Sequence, residues 1–518
     1  MNPYYNSIID DINNNKPIIN LSDSNLTDEN VIEIADLIKD NNSIKVLKIG
    51  NIPYCSEHID RFTYYLNIRK HELIKQYNTN IRNKITIEGY SYLFETLKYN
   101  NSIHTLKLDE ILFEDSEVFY DENHRKNFKN NDILINILSE MLLINKSITK
   151  LTVNYNTYIS DETFIKFCNA IKNHNDFYKL NVMFKNFDNE DMYNIFLESL
   201  TNHIYLYSLR LYNINDKCIS LLKNLDYIQN LTFFKYICHY LTSYPSINKL
   251  FFEALENKKY LKKLYINCDD KHSCCIDPSL TKLLNINKNI KYLKIYGNYN
   301  LYIYDDLVQS IINSNLETLK IIYCSLKIEN VIKIIQNNHT INSLNVSHNN
   351  IIDEELFKLL FDELTLNKNI TKLNVSKNII DAESRISLNN LIKNNNTLIK
   401  INLERCLYFY DQNDLKIFDS LALNKSIQIC KISPPYEINI NYIDKICNLI
   451  KNNKVLYKLN FDMNMYFKDQ CLRWGASLNI DLLTDEYYNK INEALKYNNS
   501  LIYFGWNSLI YKEHFINK

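Results

Sequence analysis

A phrase of alternating apolar and polar positions, Ile-x-x-Leu-x-(Leu/Ile/Val) after a short Asn/Lys turn, recurs along the chain about every 29 residues. Its copies include NNSIKVLKI, NNSIHTLKL, NKSITKLTV, NKNIKYLKI, NHTINSLNV, NKNITKLNV, NNTLIKINL and NKVLYKLNF. Counted from the first position of each phrase, units start at 16, 44, 103, 148, 177, 206, 228, 261, 290, 316, 341, 370, 398, 427, 456 and 501. Eight of the fifteen intervals are 28 or 29 residues; the start at 228 fits worst, with 22 and 33 residues to its neighbours. Within the unit 341–369, Leu344 and Val346 alternate with Asn345, the period-two signature of a short strand. Asp353 then stands as a helix cap ahead of Leu356, Leu359, Leu360 and Leu364 at helical spacing, and Asn367-Lys368-Asn369 closes the helix. One strand and one helix cannot bury both apolar faces alone. The period therefore predicts stacked units that share a core, a solenoid.

The ninth position of the phrase is Asn156, Asn298, Cys324, Asn349, Asn378, Cys406 and Asn464. An Asn or Cys there can hydrogen-bond the backbone of the turn that leaves the strand. With this motif and period the chain resembles the leucine-rich repeat family, in its long, ribonuclease-inhibitor-like form, over nearly its whole length and most strongly from Asn145 to Phe461. It departs from that family in lacking the Gly usual before the helix and in using Ile for Leu. The resemblance implies an α/β horseshoe of about 16 repeats in a single domain 1–518, with a parallel sheet on the concave face and helices on the convex face. Residues 1–15, with Tyr4, Tyr5, Ile8, Ile9 and Ile12, are expected to cap the first repeat, and 507–518 to close the other end.

Three intervals are long: 59 residues from 44 to 103, 45 from 103 to 148 and 45 from 456 to 501. The extra residues fall just after the strand, at about 52–84, 109–129 and 462–480, and would emerge on one rim of a solenoid. The first is basic (Arg61, Arg69, Lys70, Lys75, Arg82, Lys84) and the second acidic (Asp109, Glu110, Glu114, Asp115, Glu117, Asp121, Glu122). They suit pairing with each other as well as with a partner. The third holds Trp474, which either plugs the space beneath its own loop, the preferred reading, or anchors a partner.

Positions 4 and 6 of each phrase should point into the core, and positions 3, 5 and 7 onto the concave face. That face collects Lys48, Lys107, Lys150, Lys179, Arg210, Lys263, Lys294, Lys320, Lys372, Lys400, Lys431 and Lys458 against few acids: Asp109, Glu317, Glu404 and Asp462. A row of Asn181, Asn345, Asn374, Asn402 and Asn460 lies between the lysines, and Tyr212, Tyr265, Tyr292, Tyr296 and Tyr503 add aromatic area. The binding candidates are therefore Lys150, Lys179, Arg210, Lys263, Tyr265, Tyr292, Lys294, Lys320, Lys372, Lys400, Lys431, Lys458 and Trp474. They suit an acidic protein partner. The same lysines also serve to keep a large exposed sheet from associating with itself.

The net charge of −1 gives no global pull toward nucleic acid or membrane, so any such patch must be local. Scarce Arg further argues against nucleic acid. The abundance of Asn, Ile, Lys and Tyr (40 Tyr) reads as coding bias without functional meaning. No signal peptide or run long enough for a membrane span is present, and the 12 cysteines are scattered rather than framed in pairs. An intracellular, cytoplasmic protein is expected. The 5 glycines are isolated, so no phosphate-cradling loop exists, and neither G-x-S-x-G nor H-E-x-x-H occurs. In the stretch Cys268-Asp269-Asp270-Lys271-His272-Ser273-Cys274-Cys275 four potential zinc donors cluster in a loop, but their spacing matches no zinc finger and the adjacent Cys274 and Cys275 suit one tetrahedral centre poorly. No metal, cofactor or catalytic residue is expected.

The sequence thus points to a non-catalytic interaction scaffold or adaptor. An enzyme regulator is the alternative, similar to the horseshoe-shaped Ran GTPase-activating proteins. That likeness would give a role to a rim Arg, and Arg210 and Arg473 qualify by position alone. The C-terminal YKEHFINK lacks those proteins' acidic run, and residues 1–15 are too short for an F-box of a ubiquitin-ligase arm.

Overall fold

Strands form where the phrases place them in the computed structural model of the chain. The structure describes residues 3–22, 24–50, 83–109, 128–154, 159–174, 176–183, 189–201, 203, 205–212, 231–238, 252–253, 255–256, 258–268, 278–297, 301, 303–349, 354–406, 415–433, 439–461 and 485–506. The described backbone groups into two compact units, Met1–Leu261 and Lys262–Lys518.

In the first unit the strands are β1 (Ile18–Asn20), β2 (Val46–Gly50), β3 (Thr105–Asp109), β4 (Lys150–Asn154), β5 (Lys179–Met183), β6 (Ser208–Tyr212) and β7 (Phe233–Cys238). Each pairs in parallel with the next. Parallel neighbours require a crossover. The helices Asp28–Lys39, Ile87–Leu97, Phe128–Ile144, Asp161–Lys172 and Glu190–Glu198 supply it, and the helix Pro3–Asn13 precedes β1 with Ile8 and Ile12 buried.

In the second unit the strands are β8 (Lys263–Cys268), β9 (Tyr292–Tyr296), β10 (Thr318–Ile322), β11 (Ser343–Asn345), β12 (Lys372–Asn374), β13 (Lys400–Leu403), β14 (Ile429–Ile432), β15 (Lys458–Phe461) and β16 (Tyr503–Trp506), again parallel in chain order. A helix follows each of β8 to β15, from Pro278–Ile286 through to Asp485–Lys496. The architecture is an α/β repeat solenoid.

Fifteen strands begin two residues after their phrase does. The exception is β7: it begins at Phe233, so its phrase starts at Leu231, which is buried, and not at 228. Phe234 then sits opposite Leu209, the fourth position of the preceding unit. Fourth and sixth positions such as Leu47 and Ile49, Leu293 and Ile295, and Leu319 and Ile321 are buried, while Phe504 in β16 is half-buried. In the helix Glu354–Leu366 the buried face is Phe357, Leu360, Phe361 and Leu364, whereas Leu359 is 43% exposed, so the apolar stripe is rotated from the one the leucines alone suggested. Asp353, the expected cap, lies outside the described residues.

Two ladders of polar side chains tie each repeat to the next. At the ninth position, Asn349 donates to Ile321 O and Val346 O (both 2.8 Å) and accepts from Cys324 N (2.8 Å). Asn378 repeats the pattern one unit on, donating to Val346 O and Val375 O (both 2.9 Å) and accepting from Asn349 N (3.0 Å). Cys406 keeps the donor half, with its thiol 2.9 Å from Val375 O.

The second ladder lies three residues ahead of each phrase. There Asn395 donates to Leu364 O (2.8 Å) and Asn367 O (3.2 Å) and accepts from Thr397 N (2.7 Å) and Leu398 N (2.8 Å). Asn145, Asn338, Asn424, Asn453 and Asn498 do the same in their own turns. Buried carbonyls at helix ends need such partners. Much of the chain's Asn content is therefore structural.

The expected insertions at about 52–84, 109–129 and 462–480, and the closing segment 507–518, lie outside the described residues except at their margins. One margin is informative. Asn83 is buried, donates to Leu21 O (2.6 Å) and Gly50 O (3.3 Å), and accepts from Ser24 N and Leu26 N (both 3.1 Å). These are the bonds of a ninth-position Asn. In this unit the ladder residue arrives from the far end of the insertion.

Candidate functional site

Side chains at positions 3 and 5 point away from the helices, as the alternation of half-exposed and buried residues along β9 and β10 requires. Position 7 is different in the later repeats. Ser347, Ser376 and Ser433 are buried in the turn and narrow the open face there, whereas Glu404, at position 7 of the repeat between Ser376 and Ser433, stays half-exposed.

Cross-strand register sorts the candidates into two rows. In the first unit, Lys48 sits opposite Lys107 at position 5, and Lys150 opposite Lys179 at position 3. Arg210 is in register with Asn181 and with Lys235. In the second unit, Lys263 faces Tyr292, Tyr265 faces Lys294, and Lys294 faces Lys320. Further along, Lys372 lies directly opposite Lys400, Lys431 opposite Asn402, and Lys458 between Ile429 and Tyr503. The lysines thus form no single row. On β12 to β15, however, every strand contributes one.

The start of this unit is aromatic. Tyr265 and Tyr292 stack with ring centroids 4.8 Å apart, and Tyr323 meets Tyr296 (6.0 Å) and His348 (4.5 Å). Burial, together with a hydrogen bond to the Tyr292 hydroxyl, pushes the Tyr265 hydroxyl up to about 12, and burial raises Tyr292 as well. Lys320 lies over the Tyr292 ring (5.3 Å), Lys294 over Tyr296 (5.6 Å) and Lys458 over Tyr503 (4.3 Å). These ammonium groups gain from the ring faces.

Lys372, Lys400 and Lys431 have neither a ring nor a carboxylate partner among the described residues. Lys400 is the centre of the group. Partial burial, and then the charges of Lys431, Lys372, Lys320 and Lys458, lower its pKa. Glu317 offers no relief: it occupies position 2, off the open face, and pairs with Lys291 at 3.5 Å.

The asparagines between the lysines have a task of their own. Asn345, Asn374 and Asn402 accept from the backbone N–H two residues on, at 2.9, 2.9 and 3.0 Å, and so turn the chain at the strand end. Trp474 and Arg473 lie outside the described residues, as do all of the Cys268–Cys275 stretch but Cys268 itself, the last residue of β8. Among the described residues no group of three or more His, Cys, Asp or Glu is placed to hold a metal ion. Cys168, Cys324, Cys406, Cys430 and Cys447 are free and buried, and burial pushes the Cys406 and Cys430 thiols up to about 12. No described helix is long and apolar enough to cross a membrane.

The sequence reading missed the convergence on Lys400. Positions 3 and 5 were distinguishable in each phrase, but which lysines meet depends on which strands are neighbours.

No family model matches the chain. A DNA-directed RNA polymerase subunit beta'' from Plasmodium falciparum (isolate 3D7) is 25% identical over 416 residues, covering 69% of this chain and 40% of that protein. The chain thus spans well under half of that relative's length, at an identity too low to show a common family. The leucine-rich repeat-containing protein LegL7 from Legionella pneumophila aligns with 59% of this chain and 86% of its own, at 14% identity and a TM-score of 0.33. A superposition so distant fixes neither repeat type nor function.

Proposed function

We propose that the chain is a non-catalytic, intracellular leucine-rich repeat protein of the ribonuclease-inhibitor type whose open sheet face binds an acidic protein partner. The 28- or 29-residue period and the buried Asn or Cys at the ninth position support the repeat type. The observation that carries the binding reading is the run β12 to β15, where Lys372, Lys400, Lys431 and Lys458 stand on successive strands. Strands about 4.8 Å apart hold these charges well inside one Debye length, so they repel one another at physiological salt. A carboxylate-rich surface laid across the strands relieves that repulsion and is steered in by it. Nucleic acid draws less support, because the stacked tyrosines lie on β8 and β9, away from the lysine run.

The test is capture from lysate by the full chain at low and physiological salt, beside the triple variant K372E/K400E/K431E. A stoichiometric partner that salt weakens and the variant loses supports the reading. Equal capture by both proteins sinks it and turns attention to the segment around Trp474.

A further inference from the structure

We propose that Lys400 is an acylation site, its ε-amine taking an acyl group from an anionic acyl donor, such as an acyl phosphate or a phosphate-bearing acyl thioester, faster than exposed lysines of the chain. Lys400 is partly buried on β13, with Lys372 directly across on β12 and Lys431 on the diagonal on β14. It has no carboxylate or ring partner among the described residues. An ammonium group in this place has lost water on one side and faces like charge on both neighbouring strands. Both effects favour the neutral amine, and burial and the charges of Lys431, Lys372, Lys320 and Lys458 lower the pKa in that order.

Only the neutral amine attacks. Its lone pair becomes the new bond to the acyl carbon, the bond from that carbon to the phosphate oxygen or thioester sulfur breaks, and the leaving group departs as an anion with the electrons of the broken bond. The nitrogen then sheds a proton to water, leaving a neutral amide. The surrounding lysines also raise the local concentration of an anionic donor. Acylation removes the positive charge at the middle of the lysine run. Its consequence for an acidic partner rests on the proposed function; the reactivity itself does not.

The experiment treats the full chain with limiting acetyl phosphate at pH 7.5 and measures acetylation of each lysine by peptide mass spectrometry. Lys393, exposed in the last turn of the helix Ala382–Asn394, is the internal reference. Lys400 should react about threefold faster or more, with the gap closing as the pH approaches the pKa of an ordinary lysine. In K372Q/K431Q, which keeps Lys400 but removes its nearest charges, the advantage should shrink. A rate at Lys400 no greater than at Lys393 overturns the proposal, and so does an advantage that survives K372Q/K431Q unchanged. If that variant does not fold, the pH dependence of the wild-type ratio decides alone: a ratio independent of pH rules out a lowered pKa as the cause.

Discussion

The turn ahead of each strand holds the same buried slot in both units, and the two units fill it differently. In Lys262–Lys518 its buried occupants are Asn287, Asn338, Asn395, Asn424, Asn453 and Asn498; in Met1–Leu261 they are Asn100 and Asn145, then His174, His203 and Lys258. An Asn amide donates to the helix-end carbonyls of the preceding repeat and accepts from its own turn. Each histidine keeps the donor half only, with Nε2 2.9 Å from Asn145 O in one case and 3.0 Å from Ile171 O in the other. Both Nδ1 atoms are buried without a hydrogen-bond partner. The slot therefore needs a side chain that reaches the neighbouring repeat, and it tolerates the loss of the local acceptor. What changes is titration. An Asn is neutral at every pH, whereas His174, stacked on Phe177 at 4.0 Å, can be charged only at the expense of its burial.

Deleting the complete form of the slot should give the largest effect. Asn395→Ala strands two carbonyls and two N–H groups in the interior and should lower the unfolding free energy by about 3 kcal/mol, read from urea unfolding. A loss below about 1 kcal/mol would mean that water serves these groups as well as the amide does.

The incomplete form should show itself in pH. Burial, and then the charge of Lys146, lower His174 to about 4, with Asn145 O and Asp176 opposing; His203 is lowered chiefly by burial. The unfolded chain binds the proton first, near pH 6.5. The stability of Met1–Leu261 should thus be full above about pH 6.5, fall as the pH drops toward about 4, and lose no more from this group below that. The loss should be on the order of 2 kcal/mol. His174→Asn with His203→Asn installs the other repeats' residue and should flatten the profile between pH 7 and 5, measured by amide hydrogen exchange over 161–203. A slope that persists in the double variant would assign the acid sensitivity to other groups.

The strands were legible in the sequence because the period-two phrase and the core face are the same fact. The one misplaced start shows where that stops. Ile228-x-x-Leu231-x-Phe233 and Leu231-x-x-Phe234-x-Tyr236 both satisfy the phrase, and only pairing of Phe234 with Leu209 chooses between them. The Asn slot was visible as a recurrent Asn, yet in so Asn-rich a chain it looked like composition. What distinguishes it is burial. Asn83 was beyond reach for another reason: residues 51–82 separate it from the strand end whose ladder it joins. Of the candidate site, the lysine positions were readable one strand at a time. Their convergence on Lys400 belongs to the register between strands.

A smaller contrast lies in the turns. Among the described residues of Met1–Leu261, the positive-φ positions are Asn15 (55°), Asn25 (49°) and Gly50 (117°), residue types that accept the left-handed region readily. In Lys262–Lys518 they are Tyr323 (60°), His348 (61°), Lys377 (59°) and Arg405 (56°), the eighth position of four successive repeats. Bonds to the next repeat hold them there, from His348 N to Ser376 O and from Lys377 N to Glu404 O, both 2.9 Å. Local strain is thus overruled by the ladder. Lys377→Gly should relieve it and, after the greater entropy of Gly in the unfolded chain, stabilise the protein by about 0.5 kcal/mol, while Asn25→Gly should do close to nothing. A destabilising Lys377→Gly would mean that the side chain contributes more to the folded state than its backbone costs. The eighth-position residues would then be selected for what they touch, and the basic pair Lys377 and Arg405 would count as an extension of the lysine face.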